Sequence, residues 1–469
     1  MQWLQKGWAG LFIVCLCFWA CPAGAWAEPL AFSVHTLDSK KTGATALIVG
    51  GIQGDEPGGF NAAALIATRY KVHSGRVIVV PNLNFSSIVK RSRGIHGDMN
   101  RKFARLHPDD PERDTIDRIK SMMTDPKVDF ILNLHDGSGF YSKTYENSLR
   151  HPGRWGQSII IDQEHMPGAR EDASCMFSDL GRAAGRCARD VNNRLLESSH
   201  RVAVKNTRTA RGNMEMAKTL TFFALKHRKP AFGIEASKSF LTPRRVYYHL
   251  LAIESFLTQA GIRFERDFSL TESGIKKAMD KDIVLQLGDQ RILLFAENIR
   301  RHLNFIPMEK DRKLRFDVNH PLLTLIPNGD GYHLFHGNRR LTSLSPQYFE
   351  YDLGLERIEM VVDGRSRSVA FGSQVPVRER FLVKHIPDHR VNIIGFSKPE
   401  VRNESGFVVR KTNFAERFSI DRAGRIYRVE VYRDNRFNGM ILVDFRSGQT
   451  RINLADVRKA SDGKKEFLQ

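Results

Sequence analysis

Cysteine is scarce in this chain: five among 469 residues, three of them (Cys15, Cys17, Cys21) within the first 27. That excludes a small disulfide-stapled scaffold. Only Cys175 and Cys187 remain beyond residue 27, and they can pair or stay free thiols. Long apolar runs are equally rare. After residue 27 no stretch reaches the ~18 uninterrupted apolar residues of a membrane helix, so no second span is expected. Acidic residues are outnumbered, 52 against 72 Lys and Arg, giving a formal charge of +20. Such an excess suits an anionic partner: nucleic acid, a membrane surface or an acidic polymer. No internal repeat or low-complexity tract is present. No zinc-finger, helix-turn-helix or RNP-like signature is present either, which argues against nucleic acid. What is there is a 41% hydrophobic composition, enough for packed cores, at a length of about three domains by a ~150-residue rule.

The first 27 residues have the layout of a secretory signal. Lys6 is a short positive region, Ala9 to Ala20 (AGLFIVCLCFWA) is apolar, and Ala25-Trp26-Ala27 places small residues at a cleavage site. Cleavage after Ala27 is expected, with an uncleaved anchor as the alternative. It leaves 442 residues with a charge near +19. Export also removes nucleic acid as a natural partner and leaves no stable membrane span.

From Ala46 to Ala260, strand and helix signals alternate. Ala46–Gly50, Arg76–Val80, Val128–Leu134, Gln157–Ile161 and Ala231–Glu235 read as strands. Gly59–Tyr70, Glu112–Met123, Met176–Ser198 and Pro243–Ala260 read as helices. The alternation predicts an α/β domain with a mainly parallel sheet flanked by helices. After about residue 263, short strand candidates separated by Asn, Gly and Asp turns predict two small all-β domains. The expected division is a signal peptide 1–27, an α/β domain 28–262, a β-rich domain 263–347 and a β-rich domain 348–469. An immunoglobulin-like sandwich is one candidate form for the last.

Four segments carry candidate chemistry. Gly50-Gly51-Ile52-Gln53-Gly54-Asp55-Glu56-Pro57 follows the first strand, and Gln53 and Glu56 are close enough in sequence to converge. Asn133-Leu134-His135-Asp136 ends another strand, at the sheet edge where ligands collect in parallel α/β folds. A Gln oxygen, a Glu carboxylate and a His nitrogen can hold a divalent metal with a position left open. The bland alternative is a glycine loop beside an ordinarily hydrogen-bonded His. Lys90 to Phe103 concentrates Lys and Arg around Asn100, as a carboxylate anchor or as a solvated basic loop. Phe232-Gly233-Ile234-Glu235 ends a strand with a carboxylate, a general base if it reaches the site and a surface group if not.

These pieces, in this order, resemble the zinc carboxypeptidase superfamily. The strings GGIQGDEPGG, GDMNRKF, NLHDGSGFY and AFGIEASK resemble one branch in particular: the periplasmic D,L-carboxypeptidases that trim peptidoglycan and set helical cell shape. Most of the superfamily has His where this chain has Gln53; that branch has Gln. The resemblance implies a zinc-carboxypeptidase-like mixed sheet and one Zn2+ per chain on Gln53, Glu56 and His135. It implies substrate binding by Arg93, Asn100 and Arg101, and catalysis by Glu235. It further implies cutting of muropeptide tripeptide stems to dipeptides with release of meso-diaminopimelate, and a periplasmic location. The β-rich domains would then contact the wall or cell-shape proteins. Two other readings remain: an N-acyl amino acid deacylase of the same superfamily, and a non-catalytic peptidoglycan-binding protein. Arg91, Arg93 and Arg101 compete for the same roles.

Overall fold

The computed structural model describes residues 30–168, 176–312 and 314–446. The signal segment 1–27 and Cys175 lie outside the described residues. The N-terminal unit runs in chain order β1 (His35–Asp38), β2 (Thr45–Val49), α1 (Pro57–Arg69), β3 (Tyr70–Ser74), β4 (Arg76–Val80), α2 (Phe85–Lys90), α3 (Arg113–Thr124) and β5 (Phe130–Gly137). It continues with β6 (Phe140–Tyr141), β7 (Arg150–His151), β8 (Ser158–Ile161), α4 (Leu180–Asn192), β9 (Ala203–Asn206), α5 (Leu220–Lys226), β10 (Ala231–Ser237), α6 (Thr242–Gln259), β11 (Arg263–Arg266) and α7 (Glu272–Asp280).

Seven strands form the central sheet in the order β1-β4-β2-β5-β10-β8-β9. The neighbours β4-β2, β2-β5, β5-β10 and β8-β9 are parallel, whereas β1-β4 and β8-β10 are antiparallel. The sheet is therefore mixed. Its central strands β2 and β5 are buried on both faces, which is why they read as unbroken apolar runs rather than alternating ones. Helices α1, α4 and α6 cover one face, with Leu65, Ala184 and Phe256 in the shared core. Helices α3 and α5 cover the other, through Ile116, Ile119 and Leu220. Pro57 opens α1 at a position where its missing N–H costs nothing.

Helix α7 was not anticipated among the strand signals. Its turn-rich, polar sequence carries a single apolar stripe, Ile275, Ala278 and Met279, and that stripe packs into the core beneath α6. Strand β3 was also missed. It starts directly where α1 ends and pairs antiparallel with β11, Lys71 opposite Glu265 and Tyr70 opposite Arg266, so its partner is invisible locally.

Beyond α7 the regular elements among the described residues are strands and short 3-10 turns. A four-stranded sheet orders His302–Glu309, Arg339–Phe349, Gly331–His336 and Leu323–Asn328. Two further four-stranded sheets face each other across a core containing Met360, Val362, Val391, Val429 and Ile441, a β-sandwich. The middle β-rich unit docks on the α/β unit through Leu322, which is buried against Phe60, Ala64, Phe85 and Ile88. Asn82 donates to the Pro321 carbonyl at 2.9 Å and Arg91 to the Asn338 carbonyl at 2.6 Å. Cys187 is a free, buried thiol on α4.

Candidate active site

The parallel strands β2, β5 and β10 end at the same edge of the sheet. The loop after β2 carries Gln53 and Glu56. It is held tightly: a Cβ on Gly54 would lie 2.1 Å from the Ser87 carbonyl carbon and 2.2 Å from its oxygen. Gly58 N–H, in the first turn of α1, donates to Asp136 at 2.7 Å. Asp136 is buried and also receives Arg245 and His249, each at 3.1 Å. Burial alone would raise its carboxyl pKa, but these donors hold it below the ordinary value. The carboxylate thus ties the start of α1 to the end of β5 and to α6.

His135 meets both loop residues. Its Nδ1 lies 3.0 Å from Gln53 Oε1 and 2.9 Å from Glu56 Oε2. Its Nε2 faces the amide nitrogens of Asn133 at 2.8 Å and Asn100 at 3.3 Å. Gln53 cannot present its oxygen at random. Its Nε2 donates to Asp98 Oδ1 at 2.7 Å, and a carboxylate accepts only, so the amide oxygen is turned toward His135. Among the described residues no cluster of three His, Cys, Asp or Glu side chains forms a metal site. The convergent set has two such residues and completes itself with the Gln53 carboxamide. One imidazole nitrogen, one carboxylate and one oriented carboxamide oxygen fit a divalent metal, as a set of harder character than three His or several Cys.

Asp98 collects three partners. Besides Gln53 it accepts from Arg93 Nε at 3.0 Å and from the Asn100 backbone N–H at 3.0 Å. Burial opposes its ionisation, but Gln53 and the two arginines Arg93 and Arg101 hold its pKa below the ordinary value. Arg93 also reaches Glu56 at 3.4 Å and remains half exposed, its guanidinium on the rim of the site. Asn100 is buried, with its Oδ1 accepting the Leu220 N–H at 3.0 Å. Arg101 lies at the same rim, bonded to the Asn100 carbonyl at 3.1 Å and 3.6 Å from Glu215. Arg91 turns away to the docking contact with Asn338, which separates it from the other two arginines.

Glu235 is paired in register with His135 across the β10-β5 ladder. Its carboxyl pKa is pushed up to about 8, chiefly by burial, with Glu56 and Asp136 adding to the rise and His135 and Lys238 opposing it. Lys238, three residues on, bonds Asp55 at 2.8 Å and approaches Glu56 at 3.4 Å. The structure thus brings Gln53, Glu56, His135, Glu235, Arg93, Asn100 and Arg101 to one sheet edge. Asp98, Lys238, Asp136 and Asn133 were not singled out beforehand. All four sit inside the motif strings of the sequence, but only their tertiary partners reveal what they do.

Residues 5–280 match the profile of a family described as carboxypeptidase controlling helical cell shape, catalytic. The chain belongs to this family of cell-shape carboxypeptidases. Residues 351–446 match a second profile, the C-terminal domain of metallo-carboxypeptidase. As a member of the cell-shape carboxypeptidases it is a metallocarboxypeptidase with a mixed α/β unit followed by all-β strands. It is similar to the product-bound structure of the cell shape determinant protein Csd4 from Helicobacter pylori, at 39% identity and TM-score 0.81, covering 89% of this chain and 100% of that one. The tripeptide-bound structure of Csd4 matches with the same values. The mDAP-bound form of Csd4, described as a D,L-carboxypeptidase, matches at 40% identity and TM-score 0.79, over 86% of this chain and 97% of that one. A curated relative, the N-alpha-acetyl-L-2,4-diaminobutyric acid deacetylase of Halomonas elongata, is 33% identical over 110 residues. That match spans 22% of this chain and 31% of the relative.

Proposed function

We propose that this cell-shape carboxypeptidase is a zinc-dependent D,L-carboxypeptidase that trims peptidoglycan tripeptide stems to dipeptides by releasing meso-diaminopimelate. The observation that carries the reading is the meeting of Gln53 Oε1, Glu56 Oε2 and His135 Nδ1 within 3.0 Å, with Glu235 beside His135 in register. The tripeptide- and mDAP-bound forms of Csd4 support the substrate class. One zinc ion per chain, held by Gln53, Glu56 and His135, would supply Lewis acidity toward the scissile carbonyl and acidify water.

The protein's own groups do the rest. Glu235 accepts a proton from the attacking water and returns it to the leaving amine; a pKa near the working pH suits a group that must do both. Arg93, steered by Asp98, would stabilise the oxyanion charge that develops on the scissile carbonyl. Asn100 and Arg101 hold the terminal carboxylate by charge-assisted hydrogen bonds, so the cut falls one residue from the chain end. The remaining parts of the reading are a signal cleaved after Ala27, a periplasmic location, and three folding units, 28–262, 263–347 and 348–469. The β-rich units would serve wall or cell-shape protein contacts. Among the described residues no helix is long and apolar enough to cross a membrane.

The test is mass spectrometry of tripeptide muropeptides incubated with purified protein. Dipeptide and free diaminopimelate should appear, disappear with chelator and return with zinc. Glu235→Gln should bind about one zinc and give no product; normal trimming by that variant refutes the assignment. Release of an acyl acid from N-acyl amino acids, with no diaminopimelate, would favour the deacylase chemistry of the Halomonas relative.

A further inference from the structure

We propose that Asn133 is a positioning residue: its side-chain oxygen holds His135 in the tautomer that frees Nδ1 for the metal. The proposal rests on the metal reading above and goes beyond it. Asn133 and His135 are two apart on β5, so their side chains share one face of the sheet. Asn133 is buried, and its Oδ1 has no hydrogen-bond donor within reach. Its Nδ2 is 2.8 Å from His135 Nε2.

Without a metal, Nδ1 faces the acceptor oxygens of Glu56 and Gln53 and Nε2 faces the two asparagine amide nitrogens, the arrangement that suits the Nδ1–H tautomer. A metal among those three ligands needs the Nδ1 lone pair. The imidazole proton must then be on Nε2, and both asparagines would oppose it donor to donor. Asn100 cannot turn its amide over without losing the Leu220 N–H, which its Oδ1 accepts at 3.0 Å. Asn133 has no donor to its oxygen to give up: turned over, that oxygen takes up the Nε2–H. A metal-bound His commonly donates its second N–H to a fixed acceptor, and that partner sets both ring orientation and basicity. Here that acceptor is a carboxamide chosen by elimination, and the same rearrangement leaves the Asn100 NH2 available to substrate.

Two variants and one spectroscopic measurement test this on the full chain. Zinc affinity by chelator competition should fall about 10- to 100-fold in Asn133→Leu, the usual loss when such a partner is removed. Asn133→Asp, which keeps an acceptor, should bind zinc at least as tightly as the parent. Nitrogen-15 NMR of labelled histidine should show His135 passing from the Nδ1–H to the Nε2–H form as zinc is added. A twofold or smaller change in Asn133→Leu, or weakened binding in Asn133→Asp, overturns the proposal. Should Asn133→Leu fail to fold, an unchanged His135 tautomer on zinc loading of the parent overturns it alone. A parent chain that binds no zinc, or that binds it equally well after His135→Ala, removes the metal reading and this proposal with it, a distinct outcome from intact binding insensitive to residue 133.

Discussion

Gly54→Ala isolates how the loop geometry makes the site. The added methyl would stand 2.1 Å from the Ser87 carbonyl carbon, 2.2 Å from its oxygen and 2.3 Å from the Ile88 nitrogen. Ordinary contact begins near 3.4 Å, so the overlap exceeds 1 Å. The obstacle is the backbone of α2, which no rotamer change moves. Either α2 shifts, disturbing Phe85 and Ile88 at the docking contact with Leu322, or the loop carrying Gln53 and Glu56 shifts. Overpacking of this kind costs about 1–3 kcal/mol. Displacing catalytic groups by ~1 Å costs on the order of 10²-fold in rate. The expected result is therefore a modestly less stable protein with a disproportionate loss: zinc affinity down at least tenfold and diaminopimelate release down about 100-fold. Thermal melting, chelator competition and the muropeptide digest read the three quantities separately. A Gly54→Ala protein with parental zinc affinity and turnover would show that the loop's position is set by something other than this contact.

Three further outcomes are expected. Asp136→Leu leaves Arg245 and His249 without their shared buried carboxylate and should lower stability by about 3–5 kcal/mol, with Asp136→Asn milder; guanidinium titration followed by fluorescence checks this, and a change under 0.5 kcal/mol would contradict it. Leu322→Ala opens a cavity at the fully buried docking contact and should cost about 2–5 kcal/mol, measured in the same titration. Burial tends to raise the Asp363 carboxyl, but the backbone N–H groups of Arg378, Glu379 and Arg380 hold it below its ordinary pKa; its contribution is present above the unfolded value near ~4 and fades as pH falls through the folded one. Asp363→Asn should therefore melt lower than the parent at pH 7, with the gap closing below about pH 4, and a gap that persists in acid would refute the linkage.

Local pattern was enough for most of the α/β unit. Arg76–Val80 is a strand over the very residues read from sequence, because a β-branched run bounded by turn residues has few other solutions. Helix α6 began at its proline-marked start. Strand β3 and helix α7 escaped because their identity depends on partners distant in the chain, β11 for one and the α6 core for the other. The same distinction runs through the site. Gln53, Glu56, His135 and Glu235 were legible because their residue types stand at strand ends in a recognisable order.

The sequence by itself determined the residue types available, the strand and helix periodicities, the charge excess and the strings that mark the family. Those are properties of neighbours along the chain, where steric preference and apolar spacing act without help from elsewhere. Only the tertiary structure decided that Asp98 orients the Gln53 amide, that Arg91 serves the docking contact rather than the site, and that Asn133 lies buried behind His135. Hydrogen bonds and burial are set by distance in space: Gln53 and Asp98 are 45 residues apart in the chain, Arg91 and Asn338 247.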